Sequence, residues 1–374
     1  MILENGHIFA RGGNFIQGRI RFGRTIVEMG PGVSPGEDEP CLDVGGGYVI
    51  PGLVDIHIHG AMGHDVCDGT PEALEAISLF LAANGITAFC PTTLTLSEDR
   101  LHQIMANIAQ ASFPGAQCAG VNMEGPFINP SRKGSQPEEF IQAPDIEMFR
   151  RLNEASGGRI RLVDIAPERD EGFRFTQALS REVHVSFAHS DTDYETALAG
   201  FASGADHVTH LFNAMSPYHQ FDPGLVGAAV DGGAYVELIC DGHHVHPSIV
   251  KSLFRLFPPS RICLISDSLR CAGMPEGRYS LGGQDVFVKD GRATLESGVL
   301  AGSSIHLLEA LRRAVRFGAP LEMAVSAATH NPAASIGMQD RLGTLAPGAQ
   351  ADLVVLDKDL NLRQVFLQGE PFLP

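Results

Sequence analysis

The spacing of apolar and polar positions changes its period several times along the chain. Through residue 47, short apolar runs at 2–3, 7–9, 15–20 and 25–29 are broken by Gly and Pro without helical spacing. That pattern predicts short strands joined by turns. The C-terminal stretch has the same character, with runs at 352–357 and 362–367 and a turn at Gln368-Gly369. Neither piece is large enough to bury a core alone. Residues 1–47 and 345–374 are therefore expected to pair into one small β domain made from both ends of the chain.

Between them strands and helices alternate. An apolar, β-branched run at 48–54 reads as a buried strand. Helical spacing follows: Thr70-Pro71 supplies a start, Leu74, Ile77 and Leu81 an apolar face, and Gly85 an end. The unit recurs, with strands at 86–91, 119–123, 160–165, 183–188, 207–209, 235–240 and 262–266. Helices are expected near 101–108, 145–154, 173–179, 194–202 and 247–257, then at 304–317 and 321–328. Eight strands in βα alternation over 48–344 predict an α/β fold of the (β/α)8 TIM-barrel type. A doubly wound open sheet is the alternative architecture. Gly-rich turns and short strands at 278–295 predict hairpins inserted after the eighth strand, over the barrel mouth.

Composition narrows the class. With 44% hydrophobic and 19% charged residues the chain is ordinary globular protein. No apolar run reaches bilayer length, so no membrane association is expected. The opening Met1-Ile2-Leu3-Glu4-Asn5 lacks the basic stretch and apolar core of a secretory leader. A net charge of -17 argues against a nucleic-acid partner. Seven cysteines without CxxC spacing, mostly in apolar surroundings, are expected to be free thiols of a cytoplasmic protein.

The chemistry is concentrated where predicted strands end. His57 and His59, two residues apart on a strand, share a face. Glu124 ends the third strand, His189 the fifth, His210 the sixth and Asp267 the eighth. In a (β/α)8 protein these ends converge at one face. Unpaired carboxylates and imidazoles are costly to bury together, and one or two divalent metals (Zn, Fe, Mn or Co) would compensate them. Glu124 has two oxygens and can bridge two ions, His189 and His210 completing one site and His57 and His59 the other. Asp267 is the candidate general base, taking a proton from water acidified by a metal and returning it to a leaving nitrogen. His64, His219, His243 and His246 are expected to be polar rim or structural residues.

The run Pro51 to Gly60 (PGLVDIHIHG) and the segment Leu342 to Leu353 (LGTLAPGAQADL) resemble the amidohydrolase superfamily. Narrower motifs resemble its N-acetylglucosamine-6-phosphate deacetylase family: Glu124-Gly125-Pro126-Phe127, Ala166-Pro167-Glu168, Ala188-His189-Ser190, His210 to Met215 (HLFNAM) and Leu300-Ala301-Gly302-Ser303. The resemblance spans nearly the whole chain. It implies a barrel flanked by a β-sandwich of both termini, a homodimer, one or two divalent metals, and an amino sugar phosphate as small-molecule substrate. It also implies substrate contacts at Asn213, the backbone of Ala214, His244 and Leu300, with His244 near the scissile carbonyl or sugar hydroxyls.

Three positions depart from the family pattern. Phe221 stands where an Arg commonly reaches the sugar phosphate across the dimer, and a neutral aromatic cannot replace that charge. After Lys133-Gly134 a substrate-contacting His is replaced, with Gln136 nearest. Ser268 follows Asp267 where Ala is usual. Arg270, Arg132 or Lys133 are the candidates to compensate as phosphate ligands. Deacetylation of N-acetylglucosamine 6-phosphate is the expected reaction. The alternatives are N-acetylgalactosamine 6-phosphate, an unphosphorylated N-acetyl sugar, an N-acyl amino acid, or a non-catalytic barrel scaffold.

Overall fold

The apolar run at 48–54 forms two strands parted at Gly52, and each belongs to a different sheet. In the computed structural model, which describes residues 1–373, Tyr48–Pro51 pairs antiparallel with Leu353–Leu356 and parallel with Ile2–Ala10. Leu53–Ile58 instead pairs parallel with Ile86–Pro91. Gly52 is required at the junction, because a Cβ there would lie 2.0 Å from Thr87 Oγ1. Its N–H donates to Asp352 O at 2.9 Å, tying the junction to the C-terminal stretch.

The antiparallel sheet interleaves the two ends of the chain. Its order is Glu370–Phe372, Leu362–Leu367, Leu353–Leu356, Tyr48–Pro51, Ile2–Ala10, Asn14–Phe22 and Ile26–Gly30, with Cys41–Asp43 beside Ile2–Ala10. Ile8, Ile20, Phe22, Val49, Leu353 and Phe366 form an apolar core of its own. Pro374, the last residue assigned to the β domain, lies outside the described residues.

The remaining parallel strands are Leu53–Ile58 (β1), Ile86–Pro91 (β2), Val121–Phe127 (β3), Ile160–Ile165 (β4), His184–Phe187 (β5), His207–Val208 (β6), Tyr235–Ile239 (β7) and Ile262–Ile265 (β8). β1 pairs with β2, and β3 to β8 pair in sequential order. A bridge between Thr92 and Asn122 links β2 to β3. At the other edge, Asp267 N donates to His57 O and His59 N to Ser268 O, so the end of β8 is bonded to β1. Intervening helices begin where side chains satisfy their free N–H groups. Thr70 Oγ1 accepts from Ala73 N ahead of Pro71–Ala83, and Asp145 caps Ile146–Ala155. Gly224–Gly232 and His330–Ser335 are helices that the apolar period did not predict. The first has Leu225 to Ala229 buried on all sides, so it shows no polar face to set a period.

After β8, four antiparallel strands (Gly277–Leu281, Gln284–Lys289, Arg292–Leu295 and Leu300–Ser303) form a separate sheet. Leu300–Ser303 lies against the end of β8, with Ser303 N donating to Asp267 O at 2.7 Å.

Candidate metal centre and its cavity

Two trios of potential metal ligands meet at Glu124: His57 with His59, and His189 with His210. Within each trio the ligand atoms lie within 4.8 Å of one another, and all five residues are buried. Glu124 Oε1 is 3.1 Å from His189 Nε2 and 3.2 Å from His210 Nε2, while Oε2 is 3.2 Å from His59 Nε2. Asp267 Oδ1 is 3.3 Å from His59 Nε2 and 3.7 Å from His57 Nε2.

The hydrogen bonds on the outer side of two rings settle which nitrogen faces inward. His189 Nδ1 lies 2.8 Å from Arg132 O, and a carbonyl only accepts, so Nδ1 carries the proton and Nε2 a lone pair. His57 Nδ1 lies 2.9 Å from Glu237 Oε2, which also accepts from His210 N, so this ring donates as well. Its Nε2, buried and without a hydrogen-bond partner, points its lone pair toward two carboxylates. Lone pairs of buried groups aimed at one another are repulsive, and a cation between them reverses the sign. The donor set of imidazole and carboxylate therefore fits a divalent transition metal.

The backbone supports the same reading. His189, His210 and Asp267 have φ of 45°, 33° and 47°, in the left-handed region disfavoured for non-glycine residues. Such strain persists where surrounding structure holds it, and it clusters at functional sites. Glu168 contributes to the hold behind His189, accepting from Ser190 Oγ at 2.6 Å and from Asp191 N at 2.7 Å.

Charge states follow from burial and partners. Burial opposes ionisation of Glu124, but the close approach of the His189, His210 and His59 rings holds it well below the usual carboxylate range. Asp267 is likewise held low, burial being outweighed by His59 and His57. Behind this layer, Glu237 and Asp164 are fully buried, and desolvation pushes both carboxyls well up. Sequence reasoning missed Glu237; its signal was a lone acid inside the apolar strand Tyr235–Ile239.

A cavity of about 460 Å³ opens over the ligands, lined also by Asn213, Ala214, His244, Gln136, Leu300 and Arg292. His244 is fixed by Asp241, its Nδ1 2.7 Å from Oδ2, and Asp241 Oδ1 accepts from His244 N at 2.9 Å. Burial works against the charged ring, but the bond to Asp241 outweighs it and holds His244 above the ordinary histidine range.

The family model for the amidohydrolase family matches residues 48–372. The chain belongs to the amidohydrolase family. It is 36% identical over 330 residues to the N-acetylglucosamine-6-phosphate deacetylase of Bacillus subtilis, covering 86% of this chain and 83% of that one. Identity is also 36% to the N-acetylgalactosamine-6-phosphate deacetylase of Escherichia coli O157:H7, over 86% and 87% of the two chains. Among solved structures, a mutant N-acetyl-D-glucosamine-6-phosphate deacetylase of Mycobacterium smegmatis, in complex with N-acetyl-D-glucosamine-6-phosphate, superposes with a TM-score of 0.93. That match has 31% identity and covers 99% of this chain and 98% of the other.

Within this amidohydrolase, several residues expected at the substrate have other partners. Gln136 donates to Glu124 Oε2 at 2.6 Å and accepts from Thr95 N at 2.8 Å, so both ends of its amide are bound within the protein. Asn213 lines the cavity, but its Nδ2 bonds back to His210 O and Leu211 O. None of the three expected phosphate ligands points a free charge into the cavity. Arg132 is paired with Asp191 at 2.6 Å and Lys133 with Glu138 at 2.6 Å. Arg270 is spent on Asp68 at 2.9 Å and on Ser280 O and Gly63 O. Phe221 is 85% exposed on the turn between His219 and Asp222. His246 caps the helix Pro247–Leu256, accepting from Ser248 N. A further trio, His184, Asp206 and His207, sits where β5 and β6 begin and is bonded within itself at 2.6 and 3.4 Å.

Proposed function

We propose that this amidohydrolase hydrolyses the amide of N-acetylglucosamine 6-phosphate to glucosamine 6-phosphate and acetate. The carrying observation is the convergence of His57, His59, Glu124, His189 and His210 beside Asp267, all but the buried His57 lining one cavity. We infer that one or two divalent ions (Zn, Fe, Mn or Co) are held by these five residues. Such an ion polarises a carbonyl and lowers the pKa of water. Asp267, ionised and within reach of the same point, takes the proton at a carboxylate oxygen and delivers it to the leaving nitrogen. His244, oriented by Asp241, donates from Nε2 toward the acetamide oxygen or a ring hydroxyl. Asn213, the Ala214 backbone and Leu300 form the wall against which the sugar lies.

The parallel strands are read as a closed (β/α)8 barrel with the terminal sheet folded beside it as a sandwich. The backbone bonds from Asp267 and Ser268 to β1 support closure. A homodimer is the proposed assembly: Tyr218 and Phe221, 51% and 85% exposed, offer apolar surface for a second copy. All seven cysteines are unpaired, which fits the reducing cytoplasm.

The galactosamine epimer is the second reading, supported by the equal identity to a relative named for it. The test is acetate release from N-acetylglucosamine 6-phosphate, N-acetylgalactosamine 6-phosphate and N-acetylglucosamine, with metal content measured on the same sample. A preference for the first supports the primary reading, and a preference for the second moves the assignment to the epimer. No release from any of them by metal-loaded protein removes both.

A further inference from the structure

We propose that Arg292, on the inserted hairpin sheet, receives the phosphoryl group of the sugar within the same chain. This rests on the deacetylase reading above. Arg292 follows the two-residue turn Asp290-Gly291, whose residues have φ of 51° and 73°. Positive φ at both positions gives a type I′ hairpin turn, which fixes the register of the flanking strands. The turn sets Arg292 opposite Lys289, and on its other edge Arg292 pairs with Ser303, whose N–H is bonded to Asp267 O at 2.7 Å. The turn is further tied down by Ser304 Oγ donating to Gly291 O at 2.9 Å and by Gly291 N donating to Glu276 Oε1 at 3.2 Å.

The side chain thus stands one strand away from the candidate base and lines the cavity. Among the described residues no carboxylate lies within 4.0 Å of its guanidinium, whereas Arg132, Lys133 and Arg270 are all paired. Among the described residues that line the cavity, Arg292 is the one arginine or lysine, so it is the fixed cation available to the phosphate dianion of a substrate. The hairpin tip also reaches the loop that carries His244: a Cβ on Gly291 would lie 3.7 Å from His243 Nε2. A guanidinium fork matches phosphate oxygens in a bidentate manner, which a neutral aromatic at position 221 cannot.

The experiment compares kcat/KM for N-acetylglucosamine 6-phosphate and unphosphorylated N-acetylglucosamine in wild type, Arg292→Gln, Arg292→Lys and the surface control Arg278→Gln. Calorimetric binding of glucosamine 6-phosphate and melting curves are run on the same samples. The ratio of the two kcat/KM values is expected to fall about 10- to 100-fold in Arg292→Gln, with partial recovery in Arg292→Lys. Product binding should weaken in parallel, and Arg278→Gln should keep the wild-type ratio. An unchanged ratio in Arg292→Gln, or equal losses on both sugars, overturns the assignment while leaving deacetylation standing. Wild type that does not prefer the phosphorylated sugar also overturns it. Wild type that releases no acetate from either sugar removes the functional reading itself.

Discussion

His57 donates its Nδ1 proton to Glu237, 2.9 Å away, with both side chains fully buried. Glu237 thereby fixes the tautomer that turns a bare Nε2 toward Glu124 and Asp267. Replacing it by Gln weakens that acceptor without emptying the space. Metal affinity should fall about 10- to 100-fold, as for other groups that orient a ligand from behind. Glu237→Leu leaves the ring N–H unsatisfied and should also cost about 1–3 kcal/mol of stability. Metal titration followed by spectroscopic or mass detection, together with denaturant melts, checks both.

Asp267→Asn keeps the size of the side chain and removes its basicity. Turnover should drop about 10²- to 10⁴-fold, with folding retained and the Glu124, His189 and His210 trio still binding metal. If kcat stays near wild type, the base is a different group.

Dialysis against a chelator should abolish acetate release and lower the melting temperature. Without a cation, His189 Nε2 and His210 Nε2 face each other at 3.1 Å beside the Glu124 carboxylate. Ligand linkage adds about 2.7 kcal/mol at a free metal concentration of about 100 Kd. Adding back Zn, Fe, Mn or Co one at a time should restore both stability and activity, and the activities rank the metals.

The Asp241–His244 pair predicts an acid limb of stability. Burial opposes ionisation of Asp241, yet the bond from His244 brings its carboxyl down from 3.8 to about 2. A depressed carboxyl stabilises the fold above its unfolded pKa and loses that contribution as pH falls through the folded value. About 2 kcal/mol should therefore disappear between roughly pH 4 and pH 2. In Asp241→Asn that loss should be absent from urea melts over the same range, and His244 should titrate closer to an ordinary histidine.

Much of the centre was legible because each ligand directly follows an apolar run, where a strand end is visible in the sequence. His189, His210 and Asp267 show that signature, and His57 and Glu124 follow apolar residues too, although β1 and β3 run on past them. Glu237 and Asp164 carry no comparable motif: each is a single acid with apolar residues on both sides, which leaves the period unchanged. Gln136 was placed at the substrate on its position after Lys133-Gly134, but its reach to Glu124 is set by the fold of that loop. The pairing of Arg132 and Arg270 is likewise tertiary, since Asp191 and Asp68 are distant in sequence, whereas Lys133 pairs locally with Glu138. The break at Gly52 depends on the approach of Thr87, which no local pattern encodes.

That break at Gly52 has a consequence for biosynthesis. Tyr48–Pro51 runs directly into the strand bearing His57, and one of its edges is paired with Leu353–Leu356. A ribosome delivers the first of these strands early and the second near the end of translation. During that interval the edge stands open, a template for pairing with another chain. The lead-in to β1 is anchored on both sides only when the late strand arrives, so a nascent chain stalled before residue 353 keeps an unfinished sheet at the start of the strand that carries His57.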